Sequence, residues 1–147
     1  MGASVLFACG LNRIRSPMAA GLLRRLHGEA LAVESCGLIV DPEALPDPFV
    51  AAVMDEIGID LGERTPKAFE DLADHAFDVI VSLSAEAHHR AVDFARGRNV
   101  DLEYWPTIDP TLTFGSREVV LDAYRGVRQS LDERIRQRFP ARPTFGG

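Results

Sequence analysis

The strongest constraint on the fold is the alternation of short apolar runs with segments whose apolar residues recur at helical spacing. Four apolar runs predict buried strands, at residues 4–8, 31–35, 77–83 and 102–106. A predicted helix follows each of them. Strands that alternate with helices indicate an α/β fold in which a parallel sheet of four strands carries helices on both faces, as a three-layer sandwich.

Several helix ends can be placed from single residues. Ser16 stands where an N-cap residue belongs, and Pro17 suits the first helical position. The apolar stripe of this helix then runs to Gly28, which predicts its end. Asp47 and Pro48 repeat the same cap pattern before the next helix. The last helix, over residues 116–138, carries on one face Val120, Tyr124, Val127, Leu131 and Ile135.

Length, charge and hydropathy limit the number of domains and the kinds of partner. A chain of 147 residues normally has one core, so we predict a single domain over residues 1–140 and a loose tail over 141–147. The formal net charge of −6 argues against general binding to nucleic acid or to anionic membranes. No apolar run approaches the roughly 18 residues that span a bilayer, and no signal peptide is evident, so we expect a cytoplasmic protein.

The cysteines and histidines do not predict a metal site. The chain has two cysteines, which make no disulfide framework, and no Cys/His spacing resembles a zinc site. Cys36 belongs to the second predicted strand, where we expect a buried core residue. We therefore assign no metal ligands.

The segment "CGLNRIRSP" connects the first strand to the first helix, at the sheet edge where α/β proteins bind ligands. A loop that enters a helix N-terminus gathers unpaired N–H groups and forms an anion site, and Arg15 adds a planar fork for two phosphate oxygens. The same field stabilises a thiolate at Cys9. This pattern favours attack of sulfur on phosphorus, with Ser16 donating to the thiolate or capping the helix. The alternative is a buried core cysteine beside a common Ser-Pro helix start.

Sulfur attack on a phosphate ester needs an acid that protonates the leaving oxygen. Three aspartates precede prolines, and the pair at Asp47 is explained as a helix start. Asp109 differs from the others because it follows the fourth predicted strand, at the same sheet edge as Cys9. We therefore select Asp109 as the general acid and as the base that later activates water.

These motifs resemble the low-molecular-weight protein tyrosine phosphatases and the arsenate reductases that share their fold, including the thioredoxin-coupled ones. The resemblance rests on "VLFACGLNRIRSPMAAGLL" and on "IDP" near residue 109. Three further segments, "VESCGL", "LPDPFVAAVMDEIGIDL" and "FDVIVSL", extend it over nearly the whole chain. The implied fold is again a four-stranded parallel sheet flanked by helices, and neither metal nor cofactor is implied.

The resemblance implies a role for each residue of the first loop and for two residues outside it. Cys9 would be the nucleophile, Arg15 the phosphate clamp and Asp109 the general acid. Asn12 would shape the loop, and the hydroxyls of Ser16 and Ser35 would support it. The residues expected to surround the phosphate are Gly10, Leu11, Asn12, Arg13, Ile14, Arg15 and Ser16.

The loop departs from the family pattern at three positions. The usual Cys-x-Gly-Asn is replaced by a glycine one place earlier, which predicts a strained or reshaped loop at Leu11. Arg13 stands where a small or apolar residue is typical, and it either recruits a second acidic group of the substrate or points to solvent. Ile14 replaces a second cysteine, so Cys9 cannot form a protective disulfide within the loop.

A further departure lies outside this loop, where Thr111 and Leu112 replace the aromatic residues that often follow the Asp-Pro pair.

The sequence leaves three alternative functions open for this chain. The first is hydrolysis of a phosphorylated protein or a small aryl phosphate ester, phosphotyrosine included, through a cysteinyl-phosphate. The second is arsenate reduction with an external thiol, since Ser84 stands near the place of a relay cysteine. The third is a module that binds phosphate without catalysis. Inorganic phosphate or arsenate is the expected anion ligand in each case.

Overall fold

The computed structural model describes residues 3–62 and 64–141, and four strands in these ranges form one parallel sheet. The strands are β1 (Ser4–Cys9), β2 (Ala32–Gly37), β3 (Val79–Ser82) and β4 (Asp101–Tyr104). They lie in the order β2-β1-β3-β4, so β1 is central and its residues from Val5 to Cys9 are buried. The predicted α/β fold with a parallel sheet is confirmed.

Helices cover both faces of the sheet, as predicted. The helices are α1 (Arg15–His27), α2 (Pro48–Asp55), α3 (Ala85–Phe94) and α4 (Arg117–Arg138). Helices α1, α2 and α4 share one core with the face of the sheet that carries Phe7 and Cys9. Helix α3 packs on the opposite face, together with Phe69 from a short 3₁₀ turn at Phe69–Leu72. None of the helices in the described ranges is long and apolar enough to cross a membrane.

The helix starts agree with the sequence pattern at three helices and disagree at α1. Helix α2 begins as predicted, because Asp47 Oδ1 accepts hydrogen bonds from the N–H groups of Phe49 and Val50. Helix α1 begins at Arg15, its N-cap position is Ile14, and no side chain caps it. The predictions for Ser16 as N-cap and Pro17 as first helical residue were therefore wrong. Serines cap the remaining two helices, Ser84 for α3 and Ser116 for α4.

The sheet topology positions the segment between β1 and α1, residues 10–14, at the carboxyl edge of the central strand. Cys9 is the last residue of β1 and pairs in register with Gly37, the last residue of β2. A Cβ atom on Gly37 would lie 2.7 Å from the backbone nitrogen of Asn12, so this segment packs on β2 where only glycine fits. The predicted tail at 141–147 falls outside the described residues, apart from Ala141.

Candidate active site

Cys9 lies at the base of a short loop, residues 9–16, which we call the Cys9 loop. Cys9 is buried, and its Sγ lies 2.9 Å from Ser16 Oγ. The Ser16 hydroxyl accepts a hydrogen bond from Asn12 Nδ2 at 2.9 Å, and its proton can go to the sulfur or to the carbonyl of Cys36, 3.2 Å away. Ser16 is therefore placed to support a thiolate, and this explains why it does not cap α1.

The backbone of the Cys9 loop offers an unusual number of free donors. None of the N–H groups of residues 10–16 donates a hydrogen bond to another residue of the described chain. Two of these groups, those of Arg15 and Ser16, belong to the first turn of α1, where the helix dipole favours negative charge. A row of unpaired N–H groups next to a buried cysteine is the arrangement that binds a tetrahedral oxyanion in front of a sulfur nucleophile.

Asn12 shapes this loop through its backbone and its side chain. Its φ of 56° lies in the left-handed region, which asparagine tolerates better than most residues. The side chain is fully buried, donates to Ser35 Oγ at 3.0 Å, and accepts from the N–H of Lys67 at 2.9 Å. Leu11 is not in the left-handed region, so the strain expected from the shifted glycine is absent there.

Arg64 is a site residue that the sequence analysis missed. Its guanidinium donates to the backbone oxygen of Asn12 at 3.0 Å and to Asn12 Oδ1 at 2.5 Å, with a longer bond of 3.4 Å to Ser35 Oγ. Burial lowers the pKa of Arg64, and the nearby Cys9 opposes that effect. Arg64 therefore brings a second cation close to Cys9. The sequence carried no motif for it, since 52 residues separate Arg64 from Asn12.

Arg15 reaches from the Cys9 loop to the segment that leads from β4 to Asp109. Its Nη1 donates to the carbonyl of Thr107 at 3.0 Å, and its Nη2 lies 4.0 Å from where a Cβ of Gly10 would stand. A Cβ atom at position 10 would therefore make only an ordinary contact with the guanidinium. The bond to Thr107 couples the Cys9 loop to the segment that leads from β4 to Asp109.

Asp109 shares a cavity of about 410 Å³ with Arg15. Its Oδ1 accepts hydrogen bonds from the N–H of Thr111 at 3.0 Å and from Thr111 Oγ1 at 2.6 Å. In the described part of the chain, Asp109 Oδ2 accepts no hydrogen bond. The two other Asp-Pro aspartates serve local structure, since Asp47 caps α2 and Asp41 accepts from the N–H of Glu43 in a turn.

The other three residues of the loop face different surroundings. Ile14 belongs to the core between the sheet and α1, whereas Leu11 is 57% exposed. Arg13 is half-buried, and its Nη2 donates to the carbonyl of Leu45 at 3.0 Å. Trp105, which lies close to Asp109 in sequence, is buried against Phe7 and forms no part of the rim.

The second cysteine lies on the opposite face of the sheet. Cys36 pairs in register with Ala8, and both belong to the core under α3, whereas Cys9 belongs to the core under α1. Burial raises the pKa of the Cys36 thiol far above its ordinary value. The prediction of a buried core residue at Cys36 is confirmed.

Comparison with known proteins yields a family match over nearly the whole chain. The family model described as low molecular weight phosphotyrosine protein phosphatase matches residues 4–139. A glutaredoxin arsenate reductase from Synechocystis sp. is 30% identical over 131 residues, covering 89% of this chain and 92% of that protein.

Two further relatives cover similar shares of the chain. A protein-arginine-phosphatase from Bacillus subtilis is 25% identical over 142 residues, covering 90% of this chain and 92% of that protein. A solved structure of an arsenate reductase in the phosphate binding state superposes with a TM-score of 0.74 at 30% identity, covering 93% of this chain and 95% of that one.

Proposed function

The chain belongs to the low molecular weight phosphotyrosine protein phosphatase family, and we propose that it hydrolyses phosphate monoesters through a cysteinyl-phosphate intermediate. The observation that carries this proposal is the row of N–H groups of residues 10–16, which have no acceptor among the described residues, around a buried cysteine. A phosphoryl group bound there would lie against the sulfur, with the helix dipole and Arg15 balancing its charge.

The reaction would proceed in two steps. The Cys9 thiolate attacks phosphorus, the bond from phosphorus to the ester oxygen breaks, and Asp109 gives that oxygen a proton. Asp109 then takes a proton from water, which attacks the cysteinyl-phosphate and releases inorganic phosphate and the thiolate. Asp109 Oδ2, which has no donor among the residues at 3–62 and 64–141, suits both proton transfers, because Thr111 already occupies Oδ1.

Arsenate reduction with an external thiol is a second candidate, favoured by the 30% identity to a glutaredoxin arsenate reductase. The Cys9 thiolate would attack arsenate bound in the place of phosphate, forming a sulfur–arsenic bond as one arsenic–oxygen bond breaks and its oxygen leaves as water. An external thiolate would then attack the Cys9 sulfur, releasing arsenite and leaving a mixed disulfide that a second thiol reduces. Cys36 cannot serve as the resolving thiol because it lies on the other face of the sheet.

The test is hydrolysis of phosphotyrosine between pH 5 and 8 by the wild type and by Cys9→Ser and Asp109→Asn. We expect Cys9→Ser to be inactive. Asp109→Asn should lose about 10²–10⁴-fold in kcat, because the phenolate of tyrosine is a poor leaving group that needs an acid. Cys36→Ser and Asp41→Asn are the matched controls, and both should retain wild-type rates.

Each alternative has its own outcome. If Cys9→Ser retains activity, the cysteinyl-phosphate mechanism is wrong. A wild type that hydrolyses no ester but consumes thiol in the presence of arsenate is an arsenate reductase. A wild type that does neither and still binds inorganic phosphate is a binding module.

A further inference from the structure

We propose that Arg24, Arg25 and Arg64 form a second anion site, which binds a phosphate group, free or attached to a small organic molecule, and acts on the Cys9 loop. The binding is independent of the proposed phosphatase activity, and only its effect on hydrolysis rests on that function. The site is a cavity of about 500 Å³ between α1, β2 and the segment at 58–61, which we call the arginine cavity. Small-molecule sites usually have volumes of about 300–1,000 Å³.

The three guanidiniums that line this cavity are held at different sides of it. Arg24 reaches β2, where its Nη2 donates to the Val33 carbonyl at 2.6 Å. Arg25, the next residue of α1, turns the other way and donates from Nη1 to the Ile57 carbonyl, just after α2. Arg64 adds a third guanidinium from the segment that follows α2. The cavity is therefore bordered by arginines on separate elements of the fold.

These arginines keep donors and charge that the described residues do not use. Arg24 and Arg25 each donate a single hydrogen bond there, although a guanidinium carries five N–H groups. No carboxylate in the described ranges lies within 4.0 Å of any of the three guanidiniums. Asp60 also lines the cavity, and its Oδ1 accepts from the N–H of Gly62 at 2.8 Å. Positive charge thus exceeds negative charge along the described lining.

The arginines also act on each other. Burial lowers the pKa of Arg64, Cys9 opposes this effect, and the charge of Arg24 lowers the pKa further. Glu34 opposes it as well, but its carboxylate already pairs with Lys67 at 2.8 Å. An oxyanion between Arg24 and Arg64 would relieve their repulsion, and the planar forks of arginine suit the oxygens of phosphate.

Ser35 gives an independent indication that an acceptor belongs in this cavity. It lines the cavity and is only 6% exposed. Its Oγ accepts hydrogen bonds from Asn12 Nδ2 at 3.0 Å and from Arg64 Nη2 at 3.4 Å, whereas its own proton finds no acceptor in the described ranges. Buried polar groups normally have partners. An oxygen of a bound phosphate would accept the proton of Ser35.

Arg64 connects the arginine cavity to the Cys9 loop. It donates to the carbonyl of Asn12 and to Asn12 Oδ1, and its positive charge acts on Cys9. An anion in the arginine cavity would neutralise part of that charge, so negative charge on the sulfur would be less favoured. Phosphate, the product of the proposed reaction, would therefore inhibit in two ways. It would compete with the substrate in the Cys9 loop and lower kcat from the arginine cavity.

Equilibrium dialysis with radiolabelled inorganic phosphate counts the ions bound to each chain. We expect two ions for the wild type, one in the Cys9 loop and one in the arginine cavity. Arg24→Gln/Arg25→Gln should bind the second ion about tenfold more weakly or not at all, because charge-assisted hydrogen bonds are removed. Arg15→Ala should lose the ion of the Cys9 loop and keep the other.

Two further double variants test whether the loss is specific. Arg24→Lys/Arg25→Lys keeps both charges and a donor for each carbonyl, so it preserves the fold. It should still bind the second ion more weakly than the wild type, because lysine lacks the planar fork. Arg96→Gln/Arg136→Gln is the matched control, since it removes two exposed arginines that pair with Asp93 and Asp132, and it should bind both ions.

Inhibition of phosphotyrosine hydrolysis by phosphate measures the coupling between the two sites. We expect mixed inhibition of the wild type, with the apparent kcat falling about fivefold at saturating phosphate, a usual strength of coupling between sites. Inhibition of Arg24→Gln/Arg25→Gln should be purely competitive, because only the Cys9 loop then binds the ion.

Phenylphosphonate in place of phosphate distinguishes the two sources of the anion. It joins the anionic group to an organic ring through a carbon–phosphorus bond, which the proposed reaction does not cleave. Ile59 and Leu61 line the cavity beside the arginines and could contact such a ring. Tighter binding of phenylphosphonate at the second site supports a phosphorylated small molecule as the occupant, and tighter binding of phosphate supports the free ion.

The proposal is wrong if the wild type binds only one phosphate, or if Arg24→Gln/Arg25→Gln binds the second ion as tightly as the wild type does. Two bound ions with purely competitive inhibition of the wild type would show that the arginine cavity does not act on the Cys9 loop. If phosphotyrosine is not hydrolysed at all, the proposed function has failed, and the dialysis still decides whether the second site exists.

Discussion

Asn12 has the left-handed backbone that turns the Cys9 loop, and its carbonyl and side-chain oxygens both accept hydrogen bonds from Arg64. A glycine could adopt this backbone without support, but an asparagine adds buried polar atoms that each need a partner. Arg64 supplies two of those hydrogen bonds. It also brings a positive charge near Cys9, so loop shape and thiolate stability depend on one side chain.

Replacement of Arg64 separates these two roles. In Arg64→Gln the charge is lost, and we expect kcat/KM for phosphotyrosine to fall about tenfold, equivalent to about 1.4 kcal/mol. The rate of Cys9 alkylation by iodoacetamide should also fall, because a nearby positive charge no longer favours negative charge on the sulfur. Arg64→Lys keeps the charge, so its alkylation profile should stay close to that of the wild type while hydrolysis falls.

The control for this experiment is Arg136→Gln, an exposed arginine of α4 that pairs with Asp132. It should match the wild type in both measurements. If Arg64→Gln lowers the thermal stability and leaves the alkylation profile unchanged, Arg64 only supports the fold and plays no part in stabilising the thiolate.

The residues of the site differ in how far the sequence predicts them. The sequence predicts Cys9 and Asp109 because they follow strands whose carboxyl ends share one edge of the sheet, and Arg15 because its guanidinium stands in the loop after Cys9. Arg64 follows no strand and belongs to no periodic pattern, and its contacts with Asn12 are entirely long-range. Such a residue is visible only when the folded chain brings the two segments together.

At the scale of elements, α2 and α4 are joined by a cluster of charges at the end of α2. Glu56, the residue after α2, accepts hydrogen bonds from Arg125 and Arg128 of α4. These hydrogen bonds lower the pKa of Glu56 to about 2 from an ordinary value of 4.5. Because Asp47 at the start of α2 also contacts Tyr124 of α4, the cluster helps hold α4 near the site.

This pKa predicts how acid affects the pairing of α2 with α4. A carboxylate whose pKa is lowered by folding stabilises the protein above pH 4.5 and loses that contribution as the pH falls toward 2. Glu56→Gln should therefore melt at a lower temperature than the wild type at pH 7, and the difference should shrink steadily below pH 4.5. Thermal unfolding monitored by circular dichroism measures the two melting temperatures at pH 7 and their difference as the pH falls.

Glu133→Gln tests whether the effect is specific. Glu133 lies on α4, the helix that carries Arg125 and Arg128, and accepts only from Gln129 among the described residues. Replacement of Glu133 should leave the melting temperature unchanged both at pH 7 and below pH 4.5. An equal loss of stability in the two variants would show that general surface charge, and not the Glu56 cluster, is responsible.

Helix boundaries show where local sequence rules fail. The cap rule holds for Asp47, Ser84 and Ser116, whose oxygens have no stronger partner than the helix N–H groups. It fails for Ser16, because that hydroxyl is held by Cys9, Asn12 and the Cys36 carbonyl. A rule based on neighbours in sequence cannot anticipate partners that come from another strand, and it fails here at a candidate site residue.

In the whole molecule, the sheet separates the groups on its two faces and so limits which of them can react with each other. Alternation along β1 and β2 sends Cys9 to the core under α1 and Cys36 to the core under α3. The sequence predicts the four strands, their alternation with helices and their parallel pairing in one sheet. It did not predict which cysteine would face which layer, because the register of β1 against β2 depends on the folded sheet.

This separation predicts how the protein responds to oxidation. Peroxide converts the Cys9 thiolate to a sulfenic acid, which normally condenses with a nearby thiol to form a disulfide and water. Cys36 lies on the other side of the sheet and Ile14 offers no thiol, so we expect no disulfide between Cys9 and Cys36 in the folded monomer. Added glutathione should instead trap the sulfenic acid as a mixed disulfide at Cys9.

Intact mass and peptide mapping after peroxide treatment distinguish these outcomes, with hydrolysis of phosphotyrosine as the functional readout. With glutathione present, a reductant should restore the proposed activity fully, whereas prolonged peroxide alone should abolish it irreversibly through higher oxidation of Cys9. Cys36→Ser should behave as the wild type in both conditions, since Cys36 takes no part. A Cys9–Cys36 disulfide in the folded wild type, or weaker recovery in Cys36→Ser, would show that the two thiols meet and that the sheet does not keep them apart.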